Sequence, residues 1–303
     1  MNDDTKLQKN KTLILTQTDP DIDVMFKTWL DHDLQADVIF KDVSKPLRAL
    51  RRIVATKMPA NFLSYWLNNW KTELENYNTV IIHASELTNH LPEYIHQFNP
   101  KIRIIYWYWN PVNKHTLPRL VTDNDVEFWT FDKSDKRNFN MRYNVQYYTN
   151  DLMIKKENIK YDVYFIGHDK GRASYISKIK ESLSSQNISY YIKVIPDKSN
   201  QFIPYKKVVK ELTRARAILE INQRGQEGYT LRALEALFLH KKLITNNVSI
   251  RKADFYCKDN IFILDKSNIV GLKHFLATPY NHKVDKMENK YTVEAWFNNF
   301  FRE

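Results

Sequence analysis

Glycine is scarce in this chain, five residues in 303. A backbone that wraps closely around a phosphate normally draws on several glycines, because a side chain would stand in the way. The few present are therefore worth locating. Cysteine is scarcer still: Cys257 stands alone, which excludes an internal disulfide and fits a reducing cytoplasm. Its plain reading is a small buried or half-buried thiol. No apolar run approaches the roughly 20 residues that span a bilayer. The opening MNDDTKLQKNK is polar and lacks the apolar core of a signal peptide, so residues 1–11 are expected to form a loose tail. No nucleic-acid motif, internal repeat or low-complexity stretch stands out, which argues against a nucleic-acid partner.

What remains is a globular composition, 43% hydrophobic and 14% aromatic, in a chain long enough for two domains with real cores. The 46 basic residues outnumber 35 acidic ones, giving +11. That balance favours anionic partners (nucleic acid, phospholipid headgroups or phosphorylated substrates) without choosing among them.

The stretch 217–247, AILEINQRGQEGYTLRALEALFLHKKLITNN, organises the rest. It reads as strand, polar loop with two glycines, helix, strand. Leu231, Leu234, Leu237 and Phe238 recur at helical period, Thr230 is placed to cap that helix, and 243–245 begins the next strand. Such a unit aims a helix N-terminus, with its positive dipole end, at a ligand beyond the strand edge. Glu227 lies before the helix and Glu235 inside it. Phosphates on the amides and sugar hydroxyls on the acids would suit a nucleotide-sugar; a helix merely stabilised by nearby acids is the other reading.

Elsewhere the chain alternates strands and helices. Strands are expected over 12–16, 36–40, 79–84, 102–109 and 127–131, with a helix over 25–30 and helix-start acids at Asp132 and Asp135. The segment 46–70 reads as two helices broken at Pro59. It mixes Arg48, Arg51, Arg52 and Lys57 with Leu47, Leu50, Ile53, Phe62, Leu63, Trp66 and Trp70. A basic, aromatic amphipathic surface suits peripheral contact with an anionic membrane, and an ordinary core face opposite solvated arginines is the alternative. Ligands of open α/β sheets bind off the carboxyl ends of strands, so His83, Glu86 and Asn110 are candidates on the acceptor side. Each could equally be structural.

Residues 148–160 read as a linker. A strand over 161–166 then runs into Gly167-His168-Asp169-Lys170-Gly171-Arg172 and a helix over 173–183. Gly167 and Gly171 let the backbone approach a ligand, and Lys170 and Arg172 can neutralise a diphosphate; a solvated surface turn is the competing reading. Strands over 188–195 and 260–264, helices over 205–212 and 268–277, and an aromatic-rich helix over 291–301 complete a second parallel, helix-covered sheet.

The pair Glu227 and Glu235, seven residues between them, resembles the paired-glutamate motif of retaining GT-B glycosyltransferases. QEGYTLRALEAL with KKLITNN, and WTFDKSDKRNF at 129–139, are more specifically similar to CgeB-like and bacterial capsule or lipopolysaccharide glycosyltransferases. Thr230 and Arg232 stand where the commoner motif has glycine and proline. The resemblance implies a GT-B-like α/β fold, two Rossmann-like parallel-sheet domains facing a cleft: an acceptor domain at 1–150, a nucleotide-sugar domain at 151–285, and a C-terminal helix at 286–303 returning to the first. It implies Glu227, Arg172 and Lys170 as catalytic groups. Gly167, Gly171, Arg224, Gly228, Tyr229, Thr230, Leu231, Arg232 and Glu235 would bind the donor, Glu227 at the sugar and Glu235 at the ribose. No cofactor or metal is expected, since amides and cations would stabilise the leaving diphosphate and no Asp-x-Asp pair closes a strand in that half. The co-substrate would be a nucleotide-diphosphate sugar, UDP-linked first, and the acceptor a glycan or lipid-linked sugar at the inner membrane face. The low glycine count keeps a second reading open, a transferase-fold partner that binds without turnover.

Overall fold

The computed structural model describes residues 3–17, 24–149, 157–197, 199, 203–223, 225–266 and 269–302. It divides into two compact units, Met1–Asn144 with Asn298–Glu303, and Val145–Phe297. The expected linker at 148–160 lies largely over residues 150–156, outside the described residues, as does the start of the helix expected at 268.

The first unit carries a six-stranded parallel sheet. Its strands are β1 (Thr12–Thr16), β2 (Gln35–Val38), β3 (Thr79–His83), β4 (Arg103–Tyr108), β5 (Val126–Thr130) and β6 (Arg142–Tyr143), in the order β2-β1-β3-β4-β5-β6. TLILT and RIIYWY are buried almost throughout, as parallel strands covered on both faces must be. β6 was not foreseen: two residues carry too short a pattern to announce a strand, and pairing to Trp129 and Thr130 makes it one. Helices α2 (Val24–Asp31), α3 (Lys45–Lys57), α4 (Leu91–Phe98) and α5 (Lys133–Phe139) connect the strands. Asp132 caps α5, accepting from the amides of Ser134 and Asp135, as its place in the sequence suggested.

Two expectations are corrected here. The N-terminal segment is a helix, α1 (Asp3–Asn10), rather than a loose tail. Its last turn carries Lys9, which suits the negative dipole end, and the buried Lys9 Nζ donates to the His32 carbonyl at 2.8 Å. The second helix after Pro59 is replaced by two 3-10 segments, Ala60–Leu63 and Asn69–Asn76. Lys41 N donates to Trp66 O and Asn68 N to Ile39 O, so backbone groups that a continuous helix would need are used beside the end of β2.

The second unit has a five-stranded parallel sheet in the order β11-β10-β9-β7-β8. Its elements run β7 (Tyr161–His168), α6 (Ala173–Ser185), β8 (Tyr190–Ile195), α7 (Tyr205–Thr213), β9 (Ala215–Glu220), α8 (Leu231–Phe238), β10 (Lys242–Thr245), β11 (Ile261–Ile263), α9 (Leu272–Ala277) and α10 (Val293–Asn299), whose last two residues fall in the first unit. Successive side chains of β7 point to opposite faces. Val163 and Phe165 pack with Ile176, Ile179 and Leu183 of α6, while Tyr164 and Ile166 pack with Val208 and Leu212 of α7 and the apolar face of α8. From β7 the chain moves outward to β8. It then crosses back to β9 and continues away through β10 and β11. The strand order thus reverses between β7 and β9, the place where open α/β sheets open a crevice at their carboxyl ends.

Candidate functional site

The two loops that leave β7 and β9 are the two that the sequence marked. On the β7 side Gly167 needs its missing side chain: an added Cβ would lie 3.0 Å from Arg172 Nη2 and 3.2 Å from Phe165 Cζ. Lys170 and Gly171 both take positive φ, 47° and 77°, which turns the chain sharply into α6. Carboxylates already serve this turn. Asp169 accepts from Ala173 N at 2.7 Å, and Asp197 accepts from Lys170 N at 3.0 and 3.1 Å. Neither acid was singled out in the sequence, since an aspartate beside a turn is common.

Arg172 is the best-defined cation. Its Nε and Nη2 donate to the His168 carbonyl at 3.2 and 3.1 Å, and Nη1 donates to the carbonyl of Ile221 at the end of β9. Its guanidinium lies 5.2 Å from the Phe165 ring centroid. Burial, and then the neighbouring Arg232, draw its pKa below the ordinary value, although a guanidinium stays charged at neutral pH. The guanidinium therefore bridges the two loops through backbone acceptors. Among the described residues neither it nor the exposed Lys170 makes an ion pair.

On the β9 side Thr230 caps α8, accepting from Arg232 N at 3.1 Å while its hydroxyl donates to Glu220. Glu220, buried at the end of β9, also accepts from Thr245 Oγ1 at 2.6 Å, and burial raises its pKa. Asn247 donates to the carbonyls of Glu227 and Gly228 at 3.4 and 3.5 Å, and Ser249 Oγ to that of Glu227 at 2.9 Å. Asn222 N donates to Asn246 Oδ1 at 2.8 Å. The loop is thus clamped from the end of β10. Glu220, Asn222, Asn246, Asn247 and Ser249 were missed as loop-setting residues, and the paired asparagines ending a strand were the one visible signal.

The expected donor residues separate into two groups. Glu227 is partly exposed on the clamped loop. Tyr229 sits in the core against Phe255, and Leu231 packs partly buried beside it. Gly228 is buried, and Arg224 lies outside the described residues. Glu235 is 0% exposed. Its carboxylate accepts from Tyr205 OH at 2.5 Å and from Arg232 Nη1 at 2.6 Å, and Arg232 Nη2 donates to the Ile166 carbonyl at 2.9 Å. Burial, the largest single influence, works against the Arg232 charge, but Glu235 together with Tyr205 and Tyr164 outweighs it and the pKa rises. In this arrangement Glu235 holds Arg232 against the end of β7, and no carboxylate edge is presented for a ribose.

In the first unit, His83 ends β3 beside β1, where that sheet also reverses order. Its ring stacks on Trp109 at 5.7 Å and meets Trp29 edge-on at 5.1 Å. Nε2 is buried with no hydrogen-bond partner among the described residues, and burial lowers its pKa to about 4, which leaves it neutral near pH 7. Glu86 accepts from Arg52 Nη2 at 2.6 Å. Asn110 is exposed, two residues past β4.

The segment 46–70 also divides. Leu63, Trp66 and Trp70 are core, whereas Ala55 alone is buried in α3. Leu47, Leu50, Ile53, Phe62 and Tyr65 are exposed, Ile53 at 55% and Tyr65 at 71%. Among the described residues no helix is long and apolar enough to cross a membrane.

No family model matches the sequence, and no curated protein matches it. Among solved structures the chain is similar to a protein assigned as a UDP-N-acetylglucosamine 2-epimerase from Listeria monocytogenes, at 10% identity and a TM-score of 0.46, over 97% of this chain and 95% of the other. It is similar to MurG of Acinetobacter baumannii at 10% identity and a TM-score of 0.39, over 93% and 95%. A protein assigned as a LacI transcriptional regulator from Bacteroides fragilis follows at 10% identity and a TM-score of 0.22, over 91% and 90%. Likenesses this distant carry no functional argument, because one architecture hosts many unrelated sites.

Proposed function

We propose that this chain is a glycosyltransferase of the GT-B kind that takes a sugar from a nucleotide-diphosphate donor, UDP-linked first. One observation carries the reading. At the β7/β9 reversal, the Arg172 guanidinium is fixed by backbone carbonyls of both loops and has no carboxylate partner among the described residues. Lys170 lies two residues away in the same turn, and Glu227 lies on the neighbouring loop. A diphosphate would supply a direct ionic partner for this guanidinium.

As the acceptor hydroxyl oxygen bonds to the sugar's anomeric carbon, that carbon's bond to the β-phosphate oxygen breaks; the nucleoside diphosphate leaves with the electron pair and takes up the hydroxyl proton. Arg172, Lys170 and the positive end of α8 would stabilise that developing charge from fixed positions. Such stabilisation asks for no metal in the transfer step. Glu227 would accept from sugar hydroxyls. Glu235 becomes a positioning residue, holding Arg232 near the diphosphate rather than touching ribose itself. The acceptor, a glycan or lipid-linked sugar of bacterial surface polysaccharide, would be met from the His83, Glu86 and Asn110 side. The exposed face of α3 would rest on the anionic inner face of the membrane.

The test is a screen of nucleotide-diphosphate sugars for thermal stabilisation and for hydrolysis or transfer. A UDP-sugar should raise the melting temperature. Arg172→Ala should weaken donor binding by about tenfold or more, the effect of losing a charge-assisted contact. Glu227→Gln should lower turnover with little change in UDP affinity. No response to any donor would sink the substrate class. The internal engagement of Glu235 favours a second reading, a partner protein that binds donor without turnover; binding without transfer or hydrolysis would select it.

A further inference from the structure

Behind α8, away from the loops just described, His240, His282 and Asp285 converge, with Glu288 beside His240. His240 follows α8 in a left-handed backbone conformation, φ 50°. His282, Asp285 and Glu288 lie on the 3-10 segment His282–Lys290. His282 Nδ1 is 2.8 Å from Asp285 Oδ2. His240 Nε2 is 3.5 Å from that same oxygen and 3.0 Å from Glu288 Oε1. One ligand atom each from His240, His282 and Asp285 all fall within 4.8 Å of one another. The imidazole rings stand nearly perpendicular, 83° apart, with centroids at 5.2 Å.

Tetrahedral zinc with nitrogen and oxygen ligands at 2.0–2.2 Å requires donor atoms about 3.3–3.6 Å apart. The observed separations of 2.8, 3.0 and 3.5 Å lie at or just below that value, and the three ligand atoms of His240, His282 and Asp285 lie within 4.8 Å, so small side-chain adjustments suffice. The charge is right as well. Among the described residues, the ion-pair partners of Asp285 and Glu288 are these histidines alone, with no lysine or arginine. Asp285 Oδ1 is buried with no hydrogen-bond partner among the described residues. The donor set of two imidazole nitrogens and carboxylate oxygens suits zinc or a similar transition ion rather than magnesium or calcium.

We propose that His240, His282 and Asp285, with Glu288 as the fourth ligand, form a structural binding site for a divalent transition metal, zinc first. The ion replaces protons shared across these contacts. It pins the C-terminal end of α8 to the segment that precedes α10. The site is separate from the proposed donor loops and does not depend on the transferase reading.

The chain, stripped with EDTA and exchanged into chelator-free buffer, is titrated with ZnCl2 by calorimetry, with metal content checked by mass spectrometry. One equivalent should bind and raise the melting temperature, while MgCl2 at the same concentration should not. His282 is 65% exposed, so His282→Ala should keep the metal-free melting temperature. It should weaken zinc binding beyond the roughly 10–100-fold that loss of a mere outer-shell partner costs. The double variant H240A/H282A should lose the high-affinity equivalent. Co2+ bound in place of zinc should show the visible bands of tetrahedral nitrogen–oxygen coordination without the near-ultraviolet thiolate band that Cys257 would add. Glu227→Gln, which tests the donor site, should leave zinc binding unchanged. Absence of a bound equivalent in the wild-type chain, retention of it in H240A/H282A, or a thiolate band would each overturn the proposal.

Discussion

Arg172 and Glu235 are both charged and both placed by the same reversal of strand order, yet they do opposite things. Arg172 makes no direct ion pair among the described residues and spreads its donors over main-chain oxygens. Glu235 is neutralised in place by Arg232 and Tyr205, as a fully buried carboxylate must be. Asp135 shows the other outcome of burial. It accepts from Val112 N at 2.8 Å, but burial first, and the adjacent Asp132 as well, raise its pKa from 3.8 to about 6. A group that holds its proton more tightly when folded favours the fold below its unfolded pKa. That contribution is lost as pH climbs through the folded value. Folding should therefore weaken on this account between about pH 4 and pH 6, by on the order of 2–3 kcal/mol. Asp135→Asn keeps an acceptor for Val112 and removes the charge. Its stability relative to the parent chain, measured by urea denaturation, should improve by about 2–3 kcal/mol between pH 4 and pH 7.5. A difference that stays flat with pH would show that Asp135 is not the group responsible.

Among the elements, α3 departs furthest from what its composition would lead one to expect. Thirteen residues bury only Ala55, while Leu47, Leu50 and Ile53 recur every third position along its exposed side. Arg48 and Arg52 are themselves exposed, although Asp42 and Glu86 partly offset them. Each large aliphatic side chain taken from water contributes about 1.5–3 kcal/mol, and each nearby basic residue about 1 kcal/mol on an anionic surface. Leu50→Glu and Ile53→Glu should each reduce binding to phosphatidylserine-containing vesicles by about tenfold or more. Their melting temperatures should change little, since neither side chain is part of the core. Sedimentation of vesicles with the bound chain measures the first effect, and unchanged partitioning would remove the membrane role of this helix.

For the whole molecule the governing quantity is the +11 charge. Attraction to an anionic surface acts over a Debye length of about 10 Å at 0.1 M salt and about 3 Å at 1 M. Binding to anionic vesicles should therefore fall steeply over that range while binding to neutral vesicles changes little. Salt-insensitive binding would mean that apolar insertion alone drives it. Equally strong, salt-dependent binding to DNA or RNA would restore the nucleic-acid partner that the absence of a motif argued against.

Periodicity and capping, which depend on near neighbours in the chain, were enough to place most strands and helices. Continuous apolar runs such as 80–82 and 104–109 announce buried parallel strands, and Thr230 and Asp132 announce helix starts, because each pattern reports a local preference. The sequence also marked the two loops that now flank one strand reversal. It did not carry the order of strands, the six-strand count, or the fate of particular charges. Whether Glu235 and Arg232 face a ligand or are held internally depends on Tyr205 of α7 and on the Ile166 carbonyl of β7, which bond to them. Whether Leu50 or Trp66 joins the core depends on backbone pairing at Phe40 and Leu67. Those contacts join residues far apart in the chain, and only the tertiary structure, by bringing them within hydrogen-bond and packing distance, decides them.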